Sequence, residues 1–269
     1  MASKDARSYR TQAIVLSHIE YGEADRILKL FTLEKGKISA IAKGVRKIRS
    51  RKAGHLEPFT HVNLFLAKGR NLDIITQAET IDPFLGLRDN LERVAFASYV
   101  MELLDRFTYE EGQNVGLFRL LANTLSRLEN QPNTETIVHY FELRLLDLLG
   151  FRPQLFECVE CGKVIQEQDQ YFSPLLGGVL CPRCGSTRGD AWPVEKDTLR
   201  YFRHLQRSNW GQVASIIIPE DIETKLADLI TRYFTYLLER KLNSPTFLRE
   251  VRGKYGKDNS QPLGGLGKK

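Results

Sequence analysis

The four cysteines of the chain stand as Cys158-Val159-Glu160-Cys161 and Cys181-Pro182-Arg183-Cys184, two CxxC pairs with 19 residues between them. That spacing is the ligand pattern of a tetrahedral zinc site. Each CxxC turn aims two thiolates at one point, and the intervening loop brings the second pair back to it. Gly162 and Gly185 follow the pairs directly, where a tight knuckle calls for a residue tolerant of positive φ. Four thiolates close the coordination shell and leave no position for water or substrate, so one structural Zn2+ is expected. Two disulfides formed in an oxidising compartment are the competing reading. The quartet constrains architecture rather than activity.

The remaining sequence favours the metal. The first residues, Met-Ala-Ser-Lys-Asp-Ala-Arg-Ser, contain no apolar stretch of the signal-peptide kind. No apolar run approaches the roughly 20 residues of a membrane span. A cytoplasmic location is therefore expected, where cysteine quartets hold metal more often than disulfides. At 269 residues and 42% hydrophobic content the chain is long enough to bury more than one core.

Its net charge of +6 is unevenly placed. Residues 1–80 hold 15 Lys and Arg against 8 Asp and Glu, so the whole positive excess lies there. An anionic partner is expected for that segment.

Residues 1–80 read as β structure. Short runs at 11–17, 26–32, 37–42, 61–66 and 72–77 are compactly apolar or alternate with period two. In 26–32, Ile27, Lys29 and Phe31 share one face and Leu28 and Leu30 the other. In 61–66, Val62, Leu64 and Leu66 form the inner face. Lys68-Gly69-Arg70-Asn71 has turn chemistry and makes a hairpin of the last two runs. Five short strands in about 75 residues favour a small closed barrel of OB type, since closure removes exposed edges.

Between the third and fourth strands lies Lys43-Gly44-Val45-Arg46-Lys47-Ile48-Arg49-Ser50-Arg51-Lys52. With Lys37 it supplies seven cations (Lys37, Lys43, Arg46, Lys47, Arg49, Arg51, Lys52), and no acid intervenes before Glu57. Charge runs are commonly just solvated loops. Here the density makes self-repulsion costly without an anion, so these seven residues are expected to contact a phosphate backbone.

Helical periodicity follows Pro83, at 91–109, 115–128 and 134–149. The zinc module, at 154–190, interrupts it with a small hairpin of 170–173 and 178–180. Helices resume at 194–207 and 220–242, the second with Glu220 and Asp221 in its first turn, complementing the helix dipole. The expected domains are 1–80, a barrel, 81–252, a helical domain carrying the zinc module, and 253–269, a disordered tail. The fold class is α+β.

The sequence carries none of the common catalytic motifs. No Gly precedes any Gly-Lys pair at the Walker spacing, and GxGxxG, GxSxG and HExxH are absent. His55-Leu56-Glu57 matches half of a zinc-deaminase signature, but a shell filled by four cysteines cannot activate water. The five histidines (His18, His55, His61, His139, His204) are dispersed.

Several of these pieces together resemble the bacterial RecO family of recombination mediators. The resemblance rests on Tyr21-Gly22-Glu23-Ala24-Asp25-Arg26-Ile27, Leu30-Phe31-Thr32, Gly36-Lys37-Ile38, Ala42-Lys43-Gly44-Val45-Arg46-Lys47 and Leu56-Glu57-Pro58-Phe59. It continues through Gln77-Ala78-Glu79, Glu142-Leu143-Arg144-Leu145-Leu146, Leu149-Gly150-Phe151-Arg152-Pro153, the cysteine quartet and Phe247-Leu248-Arg249.

Family membership would imply an OB barrel, a helical domain, a structural zinc and no enzymatic activity. It would also imply a nucleoid-associated protein that binds single- and double-stranded DNA and anneals complementary strands. With RecR, such proteins help load recombinase onto strands covered by single-strand-binding protein, whose acidic tail some members contact. No membrane or small-molecule substrate is implied. Two other classes stay open at this stage: an RNA-binding OB protein, and a scaffold whose basic loop takes an acidic protein.

Overall fold

A computed structural model describes residues 7–110 and 112–238. Five strands form the N-terminal part: β1 (Ser8–Tyr21), β2 (Asp25–Thr32), β3 (Gly36–Ala42), β4 (His61–Ala67) and β5 (Asp73–Asp82). They close into a barrel in the order β1-β2-β3-β5-β4, with β4 returning to β1. All pairs are antiparallel except β3 with β5. Strand β1 is long enough to serve two neighbours, and an irregularity between Val15 and Ser17 bends it as it passes β2. The expected five-stranded barrel is therefore present, and its strands run longer at β1 and β5 than the apolar runs alone indicate.

Alternation along each strand builds two cores. Leu28 and Leu30 join Val62, Leu64 and Leu66 inside the barrel. The opposite face carries Ile14, Leu16 and Phe31 into a second, larger apolar cluster shared with the helices. Phe59 enters the same junction from the segment before β4, with a left-handed backbone (φ 72°) and a buried ring. Barrel and helices thus meet over a continuous apolar contact.

The helical part comprises α1 (Leu85–Arg88), α2 (Leu91–Phe107), α3 (Val115–Asn130) and α4 (Thr134–Leu148). Asn90 caps α2 by accepting from the backbone N–H groups of Glu92 and Arg93, and Asn114 caps α3 through Leu117 N. After α4, Gly150 takes φ 80° and stops the helix.

The cysteine module follows as β6 (Gln170–Ser173), β7 (Gly178–Leu180), α5 (Pro182–Gly185) and β8 (Trp192–Val194), a three-stranded sheet ordered β7-β6-β8. The expected helical start at 194 is corrected here. Residues 192–194 form a strand against β6, with Gln170 opposite Val194, and the helix begins two residues later. The remaining helices are α6 (Lys196–Arg207), α7 (Trp210–Val213) and α8 (Glu220–Leu238). The last residues of the expected 220–242 helix, the 253–269 tail and Phe247-Leu248-Arg249 lie outside the described residues. Among the described residues no helix is long and apolar enough to cross a membrane.

Candidate nucleic-acid interface and metal centre

The sulfur atoms of Cys158, Cys161, Cys181 and Cys184 all lie within 4.8 Å of one another, and Cys161 Sγ is 3.9 Å from Cys181 Sγ. Disulfide sulfurs stand about 2.05 Å apart, so these are free thiols. Four zinc–sulfur bonds of about 2.3 Å at tetrahedral angles would set sulfur–sulfur edges near 3.8 Å. The donor set fits a single metal ion.

Backbone hydrogen bonds fold each CxxC into its turn. Gly162 N donates to Cys158 O at 2.8 Å, and Gly185 N donates to Cys181 O at 2.8 Å. Gly162 has φ 70°, as a knuckle requires. Gly185 differs from expectation: it is not among the residues of positive φ and ends α5. Its constraint is space, because a Cβ there would meet Tyr171 Cβ at 2.4 Å.

The thiols also conflict electrostatically. Burial pushes Cys158 up, but backbone hydrogen bonds from Cys181, Cys161 and Glu160 outweigh it and bring it down to about 6. Burial, then hydrogen bonds from the neighbouring thiols, push Cys184 up to about 12. A divalent cation among the four would let all of them ionise together.

The basic segment is a loop tied down at both ends. Gly44 N donates to Asp25 Oδ1 at 2.7 Å and Arg46 N to Ala24 O at 2.9 Å, which pins its start against the β1–β2 turn. Arg46 also pairs with Glu20 at 3.0 Å. At the far end Lys52 Nζ donates to Ile75 O on β5 at 2.9 Å, and burial pulls its pKa down despite nearby Asp25. Between these ties Lys47, Ile48, Arg49 and Arg51 are exposed, Ile48 completely. Lys43 is exposed beside them. Among the described residues, Lys47, Arg49 and Arg51 have no ion-pair partner.

Lys37 is placed differently from the rest. Its ammonium is nearly covered and meets Asp105 Oδ1 at 3.0 Å while donating to Asp105 O at 2.6 Å. Lys29 reaches Asp105 Oδ2 at 3.0 Å, and Ser39 Oγ donates to Glu110 at 3.2 Å. OB barrels commonly bind oligonucleotides across strands 2 and 3. Here the outward side chains of that face (Lys29, Phe31, Lys37 and Ser39) are engaged by the end of α2 and the segment after it. The densest group of exposed cations on the barrel is that of the loop.

Asp25, Asp105 and Glu57 organise this region, and sequence reading alone did not single them out as such. For Asp25 and Glu57 a signal existed: both sit in the stretches that carry the family resemblance. The structure brings those stretches together, Asp25 holding Gly44 and Arg26 Nη1 meeting Glu57 Oε1 at 2.8 Å.

Comparison with known proteins covers the same two parts. Residues 6–84 match the family model "Recombination protein O N terminal", and residues 88–246 match "Recombination protein O C terminal". The chain is 40% identical over 246 residues to the DNA repair protein RecO of Roseiflexus sp. strain RS-1, covering 91% of this chain and 87% of the relative. It is 36% identical over 244 residues to that of Dehalococcoides mccartyi strain CBDB1, covering 91% and 96%. Against that of Pelotomaculum thermopropionicum the identity is 37% over 240 residues, covering 89% and 93%. With both halves matched and relatives aligned over nearly their full length, the chain belongs to the RecO family of DNA repair proteins.

Proposed function

We propose that this chain is a non-enzymatic recombination mediator whose barrel loop binds the phosphate backbone of single- and double-stranded DNA. With RecR it would help load recombinase onto strands covered by single-strand-binding protein, and it would anneal complementary strands. The observation that carries the reading is the loop anchored at both ends, which presents Lys43, Lys47, Arg49 and Arg51 to solvent from the barrel rim. Arg46 and Lys52 hold the loop's shape as well as adding charge. Lys37 belongs to the junction with the helices and leaves the proposed DNA set.

Mechanistically, cations on a fixed loop neutralise phosphates and lower the repulsion between two strands, so that their bases can meet. No bond is made or broken in that act. The cysteine quartet would hold Zn2+ as a structural ion, because four thiolates leave no open coordination position.

The test is annealing of two complementary oligonucleotides followed by fluorescence quenching. The intact chain is expected to accelerate it, and the variant Arg46→Ala/Lys47→Ala/Arg49→Ala/Arg51→Ala to lose most of the acceleration. Equal acceleration by both would contradict the loop assignment, and none by the intact chain would contradict annealing itself. RNA strands of the same sequence, run in parallel, discriminate an RNA-directed protein.

A further inference from the structure

Helix α6, Lys-Asp-Thr-Leu-Arg-Tyr-Phe-Arg-His-Leu-Gln-Arg, is sharply two-faced. Leu199, Phe202 and Leu205 are buried, and α6 packs on α4 and α8. At 100° per residue Lys196, Arg200, Arg203 and Arg207 fall on one narrow stripe of the other face. They line one side of a groove of about 690 Å³, with Gln166, Gln168 and Gln212 also in its lining.

Three acids lie close by, one of them Asp169, whose Oδ1 accepts from Lys196 N at 2.9 Å. Asp197 pairs with Arg200 at 3.4 Å, and Glu167 is in the groove lining. Among the described residues, the charged groups of Lys196, Arg203 and Arg207 have no ion-pair partner, although Asp169 caps the backbone N–H of Lys196. Arg203 and Arg207 both lie over the Phe156 ring, at 5.2 and 5.1 Å, which holds the two guanidinium groups together against their repulsion. Arg203 Nε donates to Leu155 O at 2.8 Å, while its Nη2 is buried without a hydrogen-bond partner. Burial and the charge of Arg207 both pull the Arg203 pKa down, as expected of a cation in want of an anion.

We propose that the α6 stripe is a second DNA-phosphate site, on the helical domain and separate from the barrel loop. From Lys196 to Arg207 the stripe rises roughly 16 Å, and one B-form strand carries a phosphate about every 3.4 Å, so several phosphates fit along it. The lining is charged and polar, with the four cations set against Glu167 and Asp197 and joined by the three glutamines, His204 and Ser208, and Ile165 and Leu199 are its apolar members. That chemistry suits a phosphate–sugar backbone and gives a peptide little apolar anchorage. The inference rests on the DNA-binding reading above, and adds that a chain with two separated tracks can hold two strands at once.

The test uses the full chain and single-stranded oligonucleotide in a salt series, with Lys196→Ala/Arg200→Ala/Arg207→Ala beside the loop variant. Arg203 is left in place because it supports Leu155. The expected result is a salt slope lower by about 2 in the α6 variant, at about 0.7 for each phosphate no longer neutralised. Annealing should fall in both variants.

A second measurement needs no substitution: Lys196 in the intact chain should become protected from acetylation when DNA is added. Unchanged slope and annealing in the α6 variant, or no protection of Lys196 under saturating DNA, overturns the stripe and leaves the loop reading standing. No DNA binding by the intact chain overturns both.

Discussion

At the residue scale, Asp105 shows how a side chain's neighbours redirect its charged partners. Two lysines of the barrel, Lys29 and Lys37, converge on this one carboxylate of α2. Burial pushes the Asp105 pKa up, but hydrogen bonds from Lys29 and Lys37 outweigh it and hold the group below the usual carboxylate range. A carboxylate depressed in the folded state stabilises above its unfolded pKa, near 3.9, and loses that contribution as pH falls through the folded value. We expect Asp105→Asn to be less stable than the intact chain at pH 7, by on the order of 1 kcal/mol. The gap should shrink as pH drops below about 4. Denaturant midpoints across pH check this, and a gap that does not change with pH would contradict it. The sequence shows Lys37 as one more cation near a basic run. Its true partner lies 68 positions away in the helical part, and no local pattern announces a pairing of that kind.

At the element scale, the cysteine module and the helices share one apolar core. Cys158 and Cys184 are buried in the same apolar cluster as Phe172, Phe202 and Phe234, and the Phe172 ring meets those of Trp192, Phe202 and Tyr233. Cys161→Ala should therefore lower both zinc content and thermal stability, with a Tm drop of about 5 °C or more. Metal analysis and calorimetry on the same sample check it, and full zinc with an unchanged Tm would contradict it.

Most elements of this region are legible from sequence because turn chemistry and periodicity agree with the fold. The hairpin at 170–173 and 178–180 and the starts of α2, α3 and α4 fall where apolar spacing places them. Strand β8 was not legible. Trp192-Pro193-Val194 is three residues long, contains a proline, and owes its strand state to pairing with β6. Gly185 was legible as a needed glycine and not in its reason, since the obstacle is the Tyr171 ring rather than backbone φ.

At the scale of the whole molecule, the charge asymmetry in the sequence points to the first 80 residues as the segment for an anionic partner, and the structure shows which of its cations are exposed. The barrel's β2–β3 face is engaged in docking the helices, and the loop after β3 carries the densest run of exposed cations on the barrel, with Arg7, Arg10, Lys68 and Arg70 exposed elsewhere on it. The α6 stripe escaped the sequence reading because residues 81–269 are close to neutral in total, although the i, i+4 spacing of Lys196 and Arg200 and of Arg203 and Arg207 was there to be read. The central claim is that the anchored loop binds the phosphate backbone. Fluorescence anisotropy of labelled single-stranded DNA across a salt series, intact chain beside the Arg46/Lys47/Arg49/Arg51 alanine variant, tests it most directly. We predict tight binding with a steep salt slope that falls by up to about 3 in the variant, at about 0.7 for each phosphate left without its cation. The same slope and affinity in both proteins would contradict it.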